Sequence, residues 1–370
     1  MKILILNSIL YTPKKSIIER RKSINDTMIY NFANSFVQQG HEVTLIASNN
    51  FRPEFIDIYP FKIIFLKSNF PKIFLPSVLP LHIKLLSYLS KNRKYYDLII
   101  SSEIFSFNSL FASFIAPQKT IIWHELGQHN NKFHQIPSKI WYNIVARIFM
   151  SNTLIVPRSL IALNFLKQFG LKLAKNHIDH GVNMQNFIPI SNKKKQFIVA
   201  ACLIQRKRID TIIDKFNKFL NKYKLYDYKL IIAGDGPCKK QLQEQILKLD
   251  IHNNVLLMGM LSHNVLGKFI SESCGMLCNS EMDLNMISIG ESLSVGTPVL
   301  TNTVPYSHEW IKLRKLGIAK DEWDEDDIFS LIQNNDEYVH NALNYGKSLT
   351  NDAVAKQFIS VYNQFIKKQN

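Results

Sequence analysis

Residues 229–237 read Lys229-Leu230-Ile231-Ile232-Ala233-Gly234-Asp235-Gly236-Pro237, an apolar run that ends in a glycine-rich turn. The run predicts a buried strand, and the turn predicts the carboxyl end of that strand. A helix that starts after such a turn points backbone N–H groups and the positive end of its dipole at one place, which favours a phosphate. The pattern therefore predicts a phosphate-binding turn with Gly234 and Gly236 in it, although turns of this composition are common.

Two acidic residues follow, Asp283 and Glu291, and after them the turn Gly296-Thr297-Pro298-Val299. Positions eight apart lie within about 80° on a helical wheel, because an α-helix has 3.6 residues per turn. The two carboxylates can therefore converge on the hydroxyl groups of one ligand.

Short apolar runs alternate with helical segments along the whole chain, as in an α/β protein with doubly wound parallel sheets. A helix is predicted over 26–39 and is ended by Gly40. We expect two Rossmann-like domains, 1–185 and 186–350, and a C-terminal helix, 351–370, that crosses back to the first domain. Binding is expected in the cleft between the domains, outside the carboxyl ends of the strands. The strands are predicted at 2–6, 42–46, 62–66, 97–100, 120–123, 154–156, 197–201, 229–233, 254–258, 276–279 and 299–301.

Length and composition are typical of a soluble two-domain enzyme. The chain has 370 residues, enough for about two domains. The opening apolar run, Ile3 to Leu6, is too short for a signal peptide, so we expect the mature chain to begin at Met1. Its four cysteines lack the paired spacing of a zinc ribbon, and we expect reduced, mostly buried thiols and no metal.

The net charge of +16 is concentrated in the first half of the chain. Residues 1–185 hold 22 Lys and Arg against 9 Asp and Glu, a balance of +13, whereas residues 186–370 hold 23 against 20, a balance of +3. Such a field attracts nucleic acid or an anionic membrane. We find no zinc finger, RNA-binding aromatic signature or basic-region heptad, and we therefore expect no nucleic-acid partner.

A membrane contact could lie between Leu75 and Tyr96. There an apolar helical stripe is predicted, with basic residues on or beyond its polar side. A core-facing helix with a solvated basic end explains the pattern equally well. The stripe consists of Leu81, Leu85, Leu86 and Leu89, and the basic residues are Lys84, Lys91, Arg93 and Lys94.

Two further segments carry a family resemblance. One is Ile178-Asp179-His180-Gly181-Val182-Asn183, followed by Phe187 and Pro189, and the other is Val199-Ala200-Ala201-Cys202-Leu203-Ile204-Gln205-Arg206-Lys207-Arg208-Ile209-Asp210. Together with the turn and the acid pair, in this order, they resemble the family-four retaining glycosyltransferases of GT-B fold, of the bacterial surface-polysaccharide type. The resemblance spans most of the chain.

The resemblance implies a donor site in the second half. Glu291 would hydrogen-bond the nucleotide ribose, and Asp283, where the family most often has glutamate, would touch hydroxyls of the transferred sugar, with Glu281 as a substitute. A solvated first-turn carboxylate is the alternative for either acid. The donor-binding residues are completed by Gly234, Gly236 and the helix-start positions Asn285, Met286, Ile287 and Ser288, whose amides would bind pyrophosphate.

Catalytic roles are implied for three further residues. Lys207 matches the family's phosphate-binding lysine, and Arg206 would replace an arginine that the family has where this chain has Cys202. His124 would touch the donor sugar. The alternatives are a solvated basic loop for the first two and a structural histidine for the third.

The resemblance thus implies a metal-independent transferase that needs no cofactor. Its co-substrate would be a nucleotide sugar, and its acceptor a glycan or a lipid-diphosphate-linked glycan. It would be cytoplasmic, with peripheral contact to an anionic inner membrane face. A transferase with a soluble sugar or sugar-phosphate acceptor, and an inactive nucleotide-sugar-binding protein, remain as alternatives. The glycines common in the family's first strand-to-helix loop are absent here, where the chain has a basic loop at 12–22.

Overall fold

The computed structural model describes residues 1–11, 13, 17–25, 27–55, 58–130, 132–184, 187–283 and 286–367. The chain forms two compact units. The first comprises Met1–Gly181 and Asn351–Asn370, and the second comprises Val182–Thr350. The predicted boundary at residue 185 lies outside the described residues, and the observed boundary follows Gly181.

The first unit is built on a six-stranded parallel sheet of order β3-β2-β1-β4-β5-β6. Its strands are apolar on both faces, as expected for a sheet covered by helices on both sides. The strands are β1 Lys2–Leu6, β2 Glu42–Ser48, β3 Lys62–Leu66, β4 Leu98–Ser102, β5 Thr120–His124 and β6 Leu154–Pro157. The helices include α1 Met28–Gln38, α2 Ile83–Asn92, α3 Phe107–Ile115, α4 Ile136–Ile140, α5 Arg147–Phe149, α6 Leu160–Lys167 and the C-terminal α14 Asn351–Lys367.

The second unit repeats this design with the order β12-β11-β10-β7-β8-β9. The strands are β7 Lys194–Ala200, β8 Lys229–Ala233, β9 Val255–Gly259, β10 Ser273–Leu277, β11 Val299–Thr301 and β12 Gly317–Ala319. The helices include α7 Ile209–Tyr223, α8 Lys239–Lys248, α9 His263–Glu272, α10 Ile287–Ser294, α11 His308–Leu313, α12 Glu325–Gln333 and α13 Asn335–Gly346. The prediction of an α/β fold with two doubly wound parallel sheets is confirmed.

Each sheet has a point at which the strand order reverses, between β1 and β4 in the first unit and between β7 and β10 in the second. At such a point the loops that leave the carboxyl ends of the two strands diverge and open a crevice, where open α/β sheets bind ligands. In the second unit these are the loops that follow Ala200 and Leu277. They contain the predicted residues Lys207 and Asp283.

The C-terminal helix α14 packs within the first unit. The ring of Phe358 lies 5.3 Å from that of Phe32 in α1 and 5.2 Å from that of Trp123 in β5, measured between centroids. At the start of the helix, the Gln39 side chain donates a hydrogen bond of 2.8 Å to Asp352 Oδ1. The helix is therefore part of the core of this unit.

The leucine stripe near α2 faces the core. Leu81, Leu85 and Leu89 are 9%, 0% and 1% exposed, and Leu85 and Leu89 pack with Leu66 and Tyr96 against the sheet. The interpretation of this stripe as a membrane-facing surface is therefore wrong, and the core-facing alternative is right. Within the described residues, none of the helices combines the length and the apolar character needed to span a bilayer.

Candidate functional site

A shielded ion pair lies at the strand-order reversal of the second unit. The Lys207 ammonium donates to Asp283 Oδ2 at 2.6 Å, and Arg206 Nη1 donates to Asp283 Oδ1 at 3.2 Å. The Ser280 hydroxyl donates to the same carboxylate. The side chains of Lys207 and Asp283 are only 12% and 13% exposed, whereas that of Arg206 is 45% exposed. The structure thus brings Asp283 into contact with Arg206 and Lys207, which lie 77 and 76 positions before it in the sequence. Of the two cations, Lys207 is the one that is shielded from water.

Backbone contacts hold the two loops in place. The amide of Glu281 donates to the carbonyl of Arg206 at 2.8 Å, and the Asn302 side chain donates to the carbonyl of Ser280 at 2.6 Å. Arg208 has a left-handed backbone with φ of 47°, so the chain turns sharply before α7 begins at Ile209. Lys207 is therefore positioned by the fold of its loop as well as by its ionic partner.

The glycines of the Gly-Asp-Gly-Pro turn allow its backbone to pack closely against the loop that follows β7. A Cβ on Gly234 would lie 1.9 Å from the carbonyl oxygen of Ala201, and one on Gly236 would lie 2.4 Å from that of Leu203. Both amides already have acceptors, since Gly234 N donates to Gly259 O at 2.8 Å and Gly236 N donates to Asp235 Oδ1 at 2.8 Å. Helix α8 begins only at Lys239. Phosphate binding by these two amides therefore stays a prediction, and it would require the present hydrogen bonds to be exchanged.

The start of α10 offers backbone donors. Helix α10 begins at Ile287, its cap residue is Met286, and among the residues that the structure describes no side chain caps it. The first amides of a helix have no partner within the helix, so those of Ile287 and Ser288 point outward. The Ile287 side chain is 53% exposed. Asn285, predicted as a further donor of this group, lies outside the described residues.

Glu291 lies one turn into the same helix and is 6% exposed. Its Oε1 lies 3.5 Å from Nε2 of His263, the first residue of α9. Burial raises the pKa of Glu291, and the nearby His263 partly offsets this. A buried carboxyl with one partner retains acceptor positions for ribose hydroxyl groups. Sequence reasoning did not identify His263. Its position at the start of a helix, shortly after the end of a strand, could have indicated it.

His124 is fully buried in the first unit, at 0% exposure. Its Nδ1 lies 2.8 Å from Glu103 Oε2, and its Nε2 lies 2.8 Å from the carbonyl oxygen of Leu126. Both ring nitrogens therefore face oxygen atoms of the protein. The predicted contact of His124 with a donor sugar stays a prediction.

A charged cluster beside His124 was missed by sequence reasoning. Arg158 Nη1 donates to Glu125 Oε2 at 3.0 Å, and His180 Nε2 lies 3.4 Å from Glu125 Oε1. The Arg158 guanidinium also lies 3.9 Å from the centroid of the Trp123 ring. Burial raises the pKa of Glu125, but His180 and Arg158 outweigh it and lower the pKa to about 2. Glu125 and Arg158 directly follow the observed strands β5 and β6 and lie two residues beyond the predicted ones. Their position after a strand was the signal that could have revealed them.

The cysteines are free thiols. Cys274 and Cys278 are buried, burial raises the pKa of each to about 12, and Cys274 Sγ donates to the carbonyl of Gln196 at 3.1 Å. Because cysteines bind metals as thiolates, these environments disfavour a metal role for the pair. Cys202 is exposed, which departs from the expectation of mostly buried cysteines.

Comparisons with known proteins match part of the second unit to a family model. Residues 183–342 match the family model described as glycosyl transferases group 1. The alpha-monoglucosyldiacylglycerol synthase of Streptococcus pneumoniae is 22% identical over 197 residues, which are 49% of this chain and 44% of that protein. The match thus covers less than half the length of that curated relative.

Solved structures resemble the chain along its whole length. The Anabaena protein HepE in complex with UDP has a TM-score of 0.68 at 14% identity, over 98% of this chain and 100% of that one. Sucrose-phosphate synthase from Thermosynechococcus elongatus has a TM-score of 0.65 at 15% identity, over 99% of both chains. The second unit therefore contains the segment that matches the glycosyl transferases group 1 model, and the chain has the GT-B fold of glycosyltransferase structures.

Proposed function

We propose that this protein is a retaining glycosyltransferase. It moves one sugar, a hexose or an N-acetylhexosamine, from a nucleoside diphosphate to a hydroxyl group of a glycan or lipid-linked glycan in surface polysaccharide biosynthesis. The observation that carries the proposal is the shielded pair of Lys207 and Asp283, which lies at the strand-order reversal of a unit that matches the glycosyl transferases group 1 family.

The diphosphate would be held without a metal ion. Lys207 supplies a cation in a poorly solvated position, and the amides of Ile287 and Ser288 supply donors at the positive end of α10. Negative charge grows on the diphosphate as the sugar departs, and donors that are already in place stabilise that charge without reorganising. Arg206 adds a second, more solvated cation on the same side.

The two acids would have separate tasks. Glu291 is nearly buried and accepts hydrogen bonds from the ribose, whereas Asp283 turns from Lys207 towards hydroxyl groups of the transferred sugar when the diphosphate occupies the ammonium. Exchange of one anion for another at Lys207 keeps its charge compensated throughout.

The acceptor would be lipid-linked, and the protein would act at the cytoplasmic face of an anionic membrane. The balance of +13 in residues 1–185 supports this proposal. So does the name of the pneumococcal relative, which describes a lipid product.

A thermal-shift series with uridine, guanosine and adenosine diphosphates tests the donor site. A ligand at about a hundred times its Kd stabilises the folded state by about 2.7 kcal/mol, which a melting curve detects. Glu291→Gln should remove most of the nucleotide-dependent shift, while Glu244→Gln, on the exposed side of α8, should keep it. Failure of all three nucleotides to shift the unaltered protein would refute the proposal, as would an unchanged shift in Glu291→Gln.

A further inference from the structure

One helix of the first unit presents a row of isoleucines to solvent. Residues 136–149, which we name the isoleucine helix, comprise α4, a π-helical turn at Trp141–Ala146, and α5. Ile136, Ile140, Ile144 and Ile148 are 58%, 50%, 53% and 63% exposed. The opposite face of the helix packs into the hydrophobic core through Trp141, Tyr142, Ala146 and the following Met150.

The π-helical turn keeps the row straight. In an α-helix, residues four apart advance slightly beyond one full turn, so a row at this spacing drifts around the helix. A π-helical turn holds more residues, so the same spacing there falls short of a full turn and the drift reverses. The four isoleucines, spread over about 18 Å of helix, therefore stay on one side.

The apolar surface continues beyond both ends of the row. At the first end, Pro137 and Ser138 line an apolar cavity of about 240 Å³ together with Ile73, Phe74 and Leu75. Two of these residues, Ile73 and Leu75, are themselves 74% and 46% exposed. At the other end, Phe149 and Phe114 of α3 are 46% and 68% exposed, with ring centroids 6.5 Å apart. A contiguous apolar patch of this kind marks an interaction site.

The charged residues of the isoleucine helix, and those of the segment that supplies Ile73 and Leu75, are all basic. Lys139 and Arg147 are exposed and flank the isoleucine row on the same helix. The sequence from 126 to 178 contains seven Lys and Arg and neither Asp nor Glu, and the same is true of the sequence from 58 to 96, which contributes Ile73 and Leu75. A protein partner offers charges of both signs, and a nucleic acid offers no apolar face to isoleucines. A bilayer with anionic headgroups matches both properties, because it is uniformly negative at its surface and apolar just beneath.

We propose that the isoleucine helix lies on the surface of an anionic lipid bilayer, with its isoleucines at the boundary of headgroups and acyl chains and with Lys139 and Arg147 at lipid phosphates. The inference deepens the proposed membrane contact and moves it from α2 to a different helix. The experiment that tests it measures lipid binding and not sugar transfer, so the inference can prove wrong while the proposed activity proves right.

Co-sedimentation of the full-length protein with lipid vesicles tests the inference. The vesicles contain either equal parts of phosphatidylglycerol and phosphatidylcholine or phosphatidylcholine alone. The double variant Ile140→Gln with Ile144→Gln should lower the partition coefficient for the anionic vesicles by about tenfold or more, because two half-exposed apolar side chains no longer enter the bilayer. The matched control is Leu247→Gln with Leu313→Gln, which alters two exposed leucines of the second unit and should bind as the unaltered protein does.

A charge variant separates the two contributions. Lys139→Gln with Arg147→Gln should reduce binding to the anionic vesicles about tenfold or more at low salt and should leave the weaker binding to phosphatidylcholine unchanged. The melting temperature, and its shift on addition of the nucleoside diphosphate selected by the thermal-shift series, should be the same in all variants as in the unaltered protein. Equal vesicle binding by the isoleucine variant and the unaltered protein would overturn the inference. So would a dimer in light scattering that the isoleucine variant abolishes without a loss of lipid binding, since the patch would then be a contact between copies of the chain.

Discussion

Lys207→Met removes the cation that would hold the diphosphate and keeps most of the side chain's volume. In the unaltered protein the ammonium lies 2.6 Å from Asp283 Oδ2, and both side chains are nearly nine-tenths shielded from water. A hydrogen bond to a charged group in such a position contributes about 1.5–3 kcal/mol. The same ammonium should contribute a similar amount to a bound diphosphate, so the variant should bind the nucleotide about 10- to 100-fold more weakly.

The unfolding free energy should change less than the binding free energy. Asp283 keeps Arg206 and the Ser280 hydroxyl as donors after the substitution. We therefore expect a loss of about 1–2 kcal/mol in stability, which leaves the variant folded for the binding measurement.

Isothermal titration calorimetry with the nucleoside diphosphate selected by thermal shift provides the measurement. Arg206→Met is the control, because this neighbouring cation is 45% exposed and a solvated ion pair contributes about 0.2–1 kcal/mol. It should weaken binding by less than about fivefold. Equal and small effects of the two substitutions would show that the shielded position of Lys207 has no bearing on ligand binding.

Three further predictions concern single side chains. Asp283→Asn should lower the initial rate of sugar transfer by about 100-fold without weakening nucleoside diphosphate binding, because a neutral amide no longer competes for Lys207; weakened binding by calorimetry would contradict this. Burial lowers the pKa of Lys193 from 10.5 to about 7, so between these pH values the side chain is protonated in the unfolded chain and neutral in the folded protein. The stability of the unaltered protein relative to Lys193→Met should therefore rise with pH from about 7 to 10. A stability difference that stays constant with pH in denaturant unfolding would disprove this prediction. Glu125→Gln should cost on the order of 3 kcal/mol near neutral pH, because His180 and the neighbouring arginine lower the folded-state pKa from 4.5 to about 2 against the effect of burial. That difference should shrink as the pH falls below about 4.5 and vanish near 2, and a difference that persists in acid would exclude the ionic explanation.

The strands were predictable because most of them are buried on both faces and therefore read as short continuous apolar runs. Lys2–Leu6, Lys62–Leu66, Lys229–Ala233 and Val299–Thr301 have the predicted bounds. Strand β12, Gly317–Ala319, was not predicted. It has three residues, of which glycine and alanine carry little β-propensity, and it pairs in parallel with β11.

The sequence predicted which residues belong to the site but not how they are arranged in space. Lys207 and Asp283 were recognised separately by family resemblance, but their contact depends on β7 and β10 being neighbours in the sheet, which local sequence does not encode. The amide of Gly234 donates to the carbonyl of Gly259 at the end of β9, a contact that local sequence does not encode either, whereas the amide of Gly236 donates to the side chain of the preceding Asp235. Glu125 has partners from other parts of the chain, Arg158 and His180, so only the assembled first unit reveals the cluster.

A crystal structure of the protein soaked with the nucleoside diphosphate that gives the largest thermal shift would show whether Lys207 and the start of α10 hold the diphosphate. We expect phosphate oxygens within hydrogen-bonding distance of Lys207 Nζ and of the amides of Ile287 and Ser288, with the ribose hydroxyl groups at the Glu291 carboxylate. A nucleotide bound elsewhere, with Lys207 still paired to Asp283 and the start of α10 unoccupied, would contradict this expectation.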